Sequence, residues 1–276
     1  MVTTATVRNP AFRRAKSFLI RRLLRPLRSK AARYFRRRLL DRGFDGTEGA
    51  AAGRALFLAP HPDDEAIGCG ALIARKAAAG TEVVIVISTD GRHSERADEI
   101  GPEELARVRR IEAVDAATAM GLEADAVRFL DFEDGTLEVN RGPLREALVA
   151  IEAEMRPDEI FAPHADQHPD HRVLNEVART TFAGTSNARF YEYPIRYWGR
   201  VPWVVRPPGK LQSMLGLIVD PIREWRRPPA MLVSTKGFED QKFAALTAYD
   251  GEMKSVGYLV YEFAAIGWEP FFPITR

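Results

Sequence analysis

From residue 55 to residue 194, short apolar runs alternate with longer amphipathic ones, and that alternation narrows the fold more than anything else in the chain. "ALFLAP" (55–60), "EVVIVIST" (82–89), "AVRFLDF" (126–132), "EIFAPH" (159–164) and "ARFYEYP" (188–194) read as strands. The stretches 66–79, 102–120, 143–155 and 170–182 read as helices between them. Gly80 and Gly121 stand where two of these helices should stop, and Pro157 ends a third. "EVVIVIST" is apolar on both faces, which suits a strand covered by helices on both sides. Strand–helix repetition at this spacing predicts an α/β fold with a doubly wound, mostly parallel sheet. Ligands of such sheets bind beyond the carboxyl ends of the strands.

Two regions fall outside the repeat. Residues 195–235 are irregular and rich in Trp, Pro and Arg. We expect an insertion at about 195–230 that caps the site, with Trp198, Trp203 and Trp225 stacking on a ligand or forming the cap's own core. "MLVST" (231–235) and 238–249 then resume as a strand and a helix. The second region is the N-terminal arm, residues 1–43, with 14 Lys and Arg against the single acid Asp41. The arm is thus +13, and since the whole chain is only +2, the body carries −11. Phe12, Leu19, Leu23, Leu27, Ala31, Phe35 and Leu39 recur at roughly helical spacing among the arginines, and Pro26 should kink that helix. Such a basic amphipathic helix suits an anionic membrane surface, packing on its own domain or a partner subunit, or contact with nucleic acid phosphates. "DRGFDGTEGAAAG" (41–53) reads as a linker or loop, and 44–276 as one domain.

Composition excludes several classes. The lone Cys69 rules out an internal disulfide and points to a cytoplasmic protein, with peripheral contact at the inner face of the membrane should the arm bind lipid. The apolar runs are shorter than the roughly 18–20 residues of a membrane span. Arginines interrupt any apolar core of a secretory signal. "GCG" around Cys69 lacks the third glycine of a dinucleotide fingerprint.

Chemistry concentrates at two strand ends. "HPDDE" (61–65) follows the first strand and "PHADQHPDH" (163–171) closes the fourth, so four of five histidines lie in two loops that the topology can bring together. The fifth, His93, follows the second strand in "TDGRHS" (89–94). Two histidines and a carboxylate with an open position form a catalytic zinc pattern. His61, Asp64 and His171 are the candidate metal ligands, for Zn2+ or, in competition, Fe2+. Asp63 is then spare as general base. His168 could stabilise an oxyanion or protonate the leaving amine, and Asp170 could orient His168 or a ligand. Glu65 reads as a cap or an outer group. Either motif alone could be a capped helix start or a surface loop.

Together these residues resemble the PIG-L/LmbE-like family of zinc-dependent N-deacetylases, over roughly 54–194 with a weaker echo in "QKFAALTAYDGEM" (241–253). "RRIEAVDAATAMG" (109–121) and "FLDFEDG" (129–135) are similar to the family's helix and Asp-Gly loop. The resemblance implies a Rossmann-like fold and removal of an N-acetyl group from an amino sugar carried on a glycoside, glycolipid or conjugate. It assigns His61, Asp64 and His171 to the metal, Asp63 to the base and His168 to the tetrahedral intermediate. It also makes Arg109 and Asp134 substrate contacts. The chain departs from many relatives at Arg92, where they carry an acid. That charge either favours an anionic substrate group or is a solvated loop arginine. An amidase on another conjugate, or a non-catalytic membrane- or nucleic-acid-docked protein, are the alternatives.

Overall fold

The structure is a computed structural model, and it describes residues 34, 37–94, 96–166, 168–182, 186–195, 230–249, 251 and 267–274. The strands are β1 (Phe44–Asp45), β2 (Ala55–Ala59), β3 (Val83–Thr89), β4 (Val127–Phe132), β5 (Glu159–Pro163), β6 (Arg189–Tyr193), β7 (Met231–Ser234) and β8 (Trp268–Pro273). The helices are α1 (Asp64–Ala78), α2 (Ala97–Ile100), α3 (Pro102–Ala119), α4 (Arg141–Met155), α5 (Pro169–Phe182) and α6 (Glu239–Ala248). The eight strands form one sheet in the order β1-β7-β8-β6-β5-β2-β3-β4. β6-β5-β2-β3-β4 are all parallel, as the alternation predicts.

Burial explains the layers. Every residue of β2 and β3 is buried. Ala55, Phe57, Val83 and Ile85 pack with Cys69, Leu72, Ala116 and Leu246, so α1, α3 and α6 cover one face. Leu56, Leu58, Val84 and Val86 face the other way, against Leu144 and Leu148 of α4 and Leu174 and Val177 of α5. Alternate side chains of one strand thus enter two cores, the mark of a central parallel strand.

The chain builds β2, β3 and β4 outward, then returns to set β5 on the other side of β2. The switch point lies between the carboxyl ends of β2 and β5, which lead into the two histidine loops.

Two expectations change. Residues 41–53 are not a plain linker: β1 pairs in parallel with β7, Phe44 opposite Met231. β8 lies where the sequence analysis assigns no element, and its Pro270 and Pro273 are unusual in an inner strand. It runs antiparallel between β7 and β6 and joins the two parts of the sheet. The expected insertion, with Trp198, Trp203 and Trp225, falls almost entirely outside the described residues, as does the arm up to residue 33. Among the described residues no helix is long and apolar enough to cross a membrane.

Candidate metal centre

Three of the five histidines gather at the switch point. The His61 ring stands edge-on to that of His168, with centroids 4.5 Å apart, and 5.2 Å from that of His171. His61 comes from the turn after β2, while His168 and His171 flank the start of α5 beyond β5. His164 does not join them: its Nδ1 faces Glu192 Oε2 at 3.2 Å in a buried pair beside β6. His93 sits at the rim, its Nε2 3.0 Å from Glu133 Oε1.

Carboxylates surround the three rings. Asp64 Oδ2 lies 3.1 Å from His61 Nδ1 and 3.4 Å from His171 Nε2. On the other edge of His61, Nε2 is 3.2 Å from Asp134 Oδ1 and 3.3 Å from Asp170 Oδ2. Asp170 also accepts the backbone N–H groups of Gly135 and Leu137. Its carboxylate thus sits against His61, a candidate ligand. Asp166, which the sequence reading passed over, accepts the His168 backbone N–H at 2.7 Å and approaches His171 Nδ1 at 3.0 Å. Its position two residues before His168, inside the histidine loop, was the available signal.

This crowding shifts the ionisation of the site. Burial opposes a charge on His61, but Asp134, Asp170 and Asp64 outweigh it and hold the imidazolium to well above the usual histidine range. Burial is likewise overcome at His171, by Asp64 and Asp166, so its pKa also rises. Burial works against ionised Asp64, yet the two imidazoles bring it well below the ordinary carboxylate range. At Asp134 the same contest, won by His61, ends at about 2.

A divalent cation fits these residues. Both ring nitrogens of His171 are buried and make no hydrogen bond, although carboxylate oxygens stand nearby. Imidazole and carboxylate are the donor types that zinc and iron take. Two donor groups have atoms mutually within 4.8 Å: His61 with His168 and His171, and His61 with Asp134 and Asp170. Neither group contains Asp64, whose Oδ2 instead contacts His61 Nδ1 and His171 Nε2.

Asp63 projects from the end of the same turn. Its φ of 114° lies in the left-handed region, a strain of about 1–3 kcal/mol for a residue with a side chain. Arg109, 3% exposed, donates to the Pro62 carbonyl and, at 3.2 Å, to Asp63 Oδ2. Gly91, at φ +64°, makes room for it, because a Cβ there would lie 2.5 Å from Arg109 Nε. Arg109 therefore lies beneath the loop and grips it. Arg92 is farther out: Nε donates to Asp90 Oδ2 at 2.7 Å, and Glu103 is 3.8 Å away.

Comparison with known proteins fits this geometry. Residues 56–182 match the PIG-L family, described as GlcNAc-PI de-N-acetylase. The chain is 33% identical over 140 residues to a diacetylchitobiose deacetylase of Thermococcus kodakarensis, covering 49% of this chain and 51% of that protein. It is 32% identical over 177 residues to a 1D-myo-inositol 2-acetamido-2-deoxy-alpha-D-glucopyranoside deacetylase of Nocardia farcinica, covering 54% and 57%. The chain thus spans about half the length of these curated relatives. Among solved structures, a deacetylase of teicoplanin biosynthesis superposes with a TM-score of 0.64 at 19% identity, over 81% of this chain and 98% of that one. The 4-carboxy-2-hydroxymuconate hydratase GalB superposes at 0.56 and 18% identity, over 81% and 97%. At such identities the likeness is one of fold, which serves more than one reaction.

Proposed function

We propose, for a chain whose residues 56–182 form a PIG-L family domain, that it is a metal-dependent hydrolase removing the N-acetyl group from an amino sugar. The observation that carries this reading is the meeting of His61 and Asp64, after β2, with His168 and His171, after β5, at the switch point of the sheet. His61, Asp64 and His171 would hold Zn2+ or Fe2+, with Asp170 and Asp166 bracing the two imidazoles. A bound ion of this kind polarises a carbonyl and lowers the pKa of water. Asp63 takes the proton from the attacking water, as its place beside the ligand Asp64 supports. His168 stands over His61 and steadies the charge that develops on the acetamide oxygen. The proton held by Asp63 then passes to the departing nitrogen, giving a free amine and acetate.

Asp134 and Arg109 border this centre on either side. Asp134 is the better placed to meet sugar hydroxyls, and Arg109 serves the loop. Arg92 stands at the rim, where an anionic substrate group would compete for it with Asp90 and Glu103. Sugars on N-acetylglucosamine conjugates, the theme of the relatives' names, are the substrate class to test. We assign the basic arm to an anionic lipid surface. β1 runs parallel to the central strands, so residue 43 enters the sheet at the pole opposite the histidines.

Elemental analysis of protein purified without added metal, with amine release from N-acetylglucosamine glycosides and glycolipids, tests this reading. About one zinc or iron per chain is expected, together with amine release that Asp63→Ala abolishes. Metal without amine release on the whole panel would sink the substrate class. Failure to bind supplied zinc would sink the ligand assignment.

A further inference from the structure

Asp63 needs outside support. With φ 114° and ψ −28° it occupies a conformation that L-residues leave unless their surroundings over-determine it. Its backbone N–H donates to Glu65 Oε2 at 3.2 Å. Glu65 is 1% exposed, and its other oxygen, Oε1, accepts the Tyr249 hydroxyl at 2.5 Å. Tyr249 is fully buried and follows α6, so its hydroxyl crosses the core to reach a residue 184 positions earlier. A helix cap asks only that a side chain near the start of the helix reach back to the N-cap N–H. Here the capping carboxylate is itself pinned from a second helix, and the capped residue is the one assigned to proton transfer.

We propose that Glu65, fixed by Tyr249, is a positioning residue for Asp63. This rests on the reading of Asp63 as general base. The two oxygens of Glu65 do separate tasks: Oε2 holds the Asp63 backbone in its left-handed turn, and Oε1 is locked by the tyrosine. With the backbone fixed, the Asp63 side chain starts from a set position, and Arg109 meets its Oδ2 at 3.2 Å. The task depends on acceptor geometry and not on negative charge. A glutamine would accept from Asp63 through its amide oxygen and donate to the tyrosine oxygen through its nitrogen.

The test compares Glu65→Ala, Glu65→Gln, Tyr249→Phe and Asp63→Ala in the zinc-loaded full chain. It reads zinc content, kinetics on the N-acetylglucosamine glycoside that the wild type turns over fastest, and crystal structures of the Glu65 variants. In Glu65→Ala, kcat should fall about a hundredfold and KM change less than about twofold, with zinc content unchanged. Tyr249→Phe should lose about tenfold in kcat, and Glu65→Gln should stay within about threefold of wild type. Asp63 should leave the left-handed region in crystals of Glu65→Ala and keep it in Glu65→Gln. Should Glu65→Ala fail to fold, Tyr249→Phe and Glu65→Gln decide by the same readouts. Asp63 unmoved, with kcat preserved in Glu65→Ala and Tyr249→Phe, would overturn the proposal. So would a Glu65→Gln defect as deep as that of Glu65→Ala. Full activity in Asp63→Ala would instead remove the general-base reading, while the position of Asp63 in the Glu65 crystals would still report whether Glu65 holds it.

Discussion

At the amino end of β5, Lys76 Nζ lies 2.7 Å from Glu159 Oε2, and Arg189 reaches the other oxygen of the same carboxylate at 2.9 Å. At the carboxyl end of that strand, Asp64, Asp134, Asp166 and Asp170 press on His61 and His171. Lys76 and Glu159 are buried, as are His61, His171, Asp64 and Asp170, but the two clusters are balanced differently. Lys76 also donates to the Ala52 and Gly53 carbonyls, so its ammonium is fully occupied by fixed partners. A second such pair, Lys242 and Glu269 at 2.6 Å, joins α6 to β8, and Glu269 also accepts the Ala71 and Leu72 N–H groups. These pairs hold elements together. The histidine end has more acid than permanent cation, and its carboxylates raise the pKa of two imidazoles there. One end of the sheet is complete, and the other is arranged to receive charge.

This contrast can be broken by experiment. Asp63→Asn should lower amine release by about a thousandfold, since general bases contribute about 100- to 10,000-fold, while thermal stability stays the same or rises. A large drop in melting temperature would instead make Asp63 structural. Lys76→Met inverts the pattern. Leaving Glu159 buried with only Arg189 should cost about 3 kcal/mol of folding stability in urea titration, with activity per folded molecule unchanged. Loss of activity out of proportion to unfolding would show that the two ends are coupled. Zinc at about a hundred times its dissociation constant should stabilise both the wild type and Lys76→Met by roughly 2.7 kcal/mol, and His171→Ala hardly at all.

The titration of the site gives a finer prediction. Because His61 and His171 are raised in the metal-free protein, their protons compete with metal starting above the ordinary histidine pKa. Zinc affinity should therefore fall as pH drops through that range, by up to about tenfold per pH unit for each proton displaced. Affinity that stays flat from pH 8 to 6, read by competition with a chelator dye, would remove both histidines from the ligand set. The smallest effect belongs to Arg92. With Asp90 already holding its guanidinium, Arg92→Ala should raise KM for a neutral glycoside less than about twofold. A much larger rise confined to an anionic substrate would make Arg92 a specificity residue.

Local pattern carried much of this. β3 shows itself as a strand through its β-branched run, and α3 through Pro102 at its start and Gly121 just past its end. The histidine loops were legible because metal-binding residue types are rare enough for their clustering after strand ends to be informative. Asp166 escaped notice because a single acid in a polar loop has no periodicity. Tyr249 was visible only as part of a family-like helix, without a task. Arg109 reads in sequence as one of two adjacent arginines, Arg109 and Arg110, and burial separates them: Arg109 grips the Asp63 turn, while Arg110 lies outside against Asp131 and over the Phe129 ring.

Local sequence pattern was enough for the alternating strands and helices, the buried central strands, and the two loops in which histidines and aspartates cluster. These follow from periods of two and 3.6 residues and from side-chain chemistry, which act over a few positions at a time. The tertiary structure alone decided that β8, despite two prolines, completes the sheet, and that Asp170 braces His61 while His164 turns to Glu192. It also joined Tyr249 to Glu65 and through it to Asp63. Apart from the Glu65–Asp63 bond, these contacts link residues well separated in the chain, and they form because packing the helices on the sheet brings buried polar groups within reach of one another, a condition no local pattern encodes.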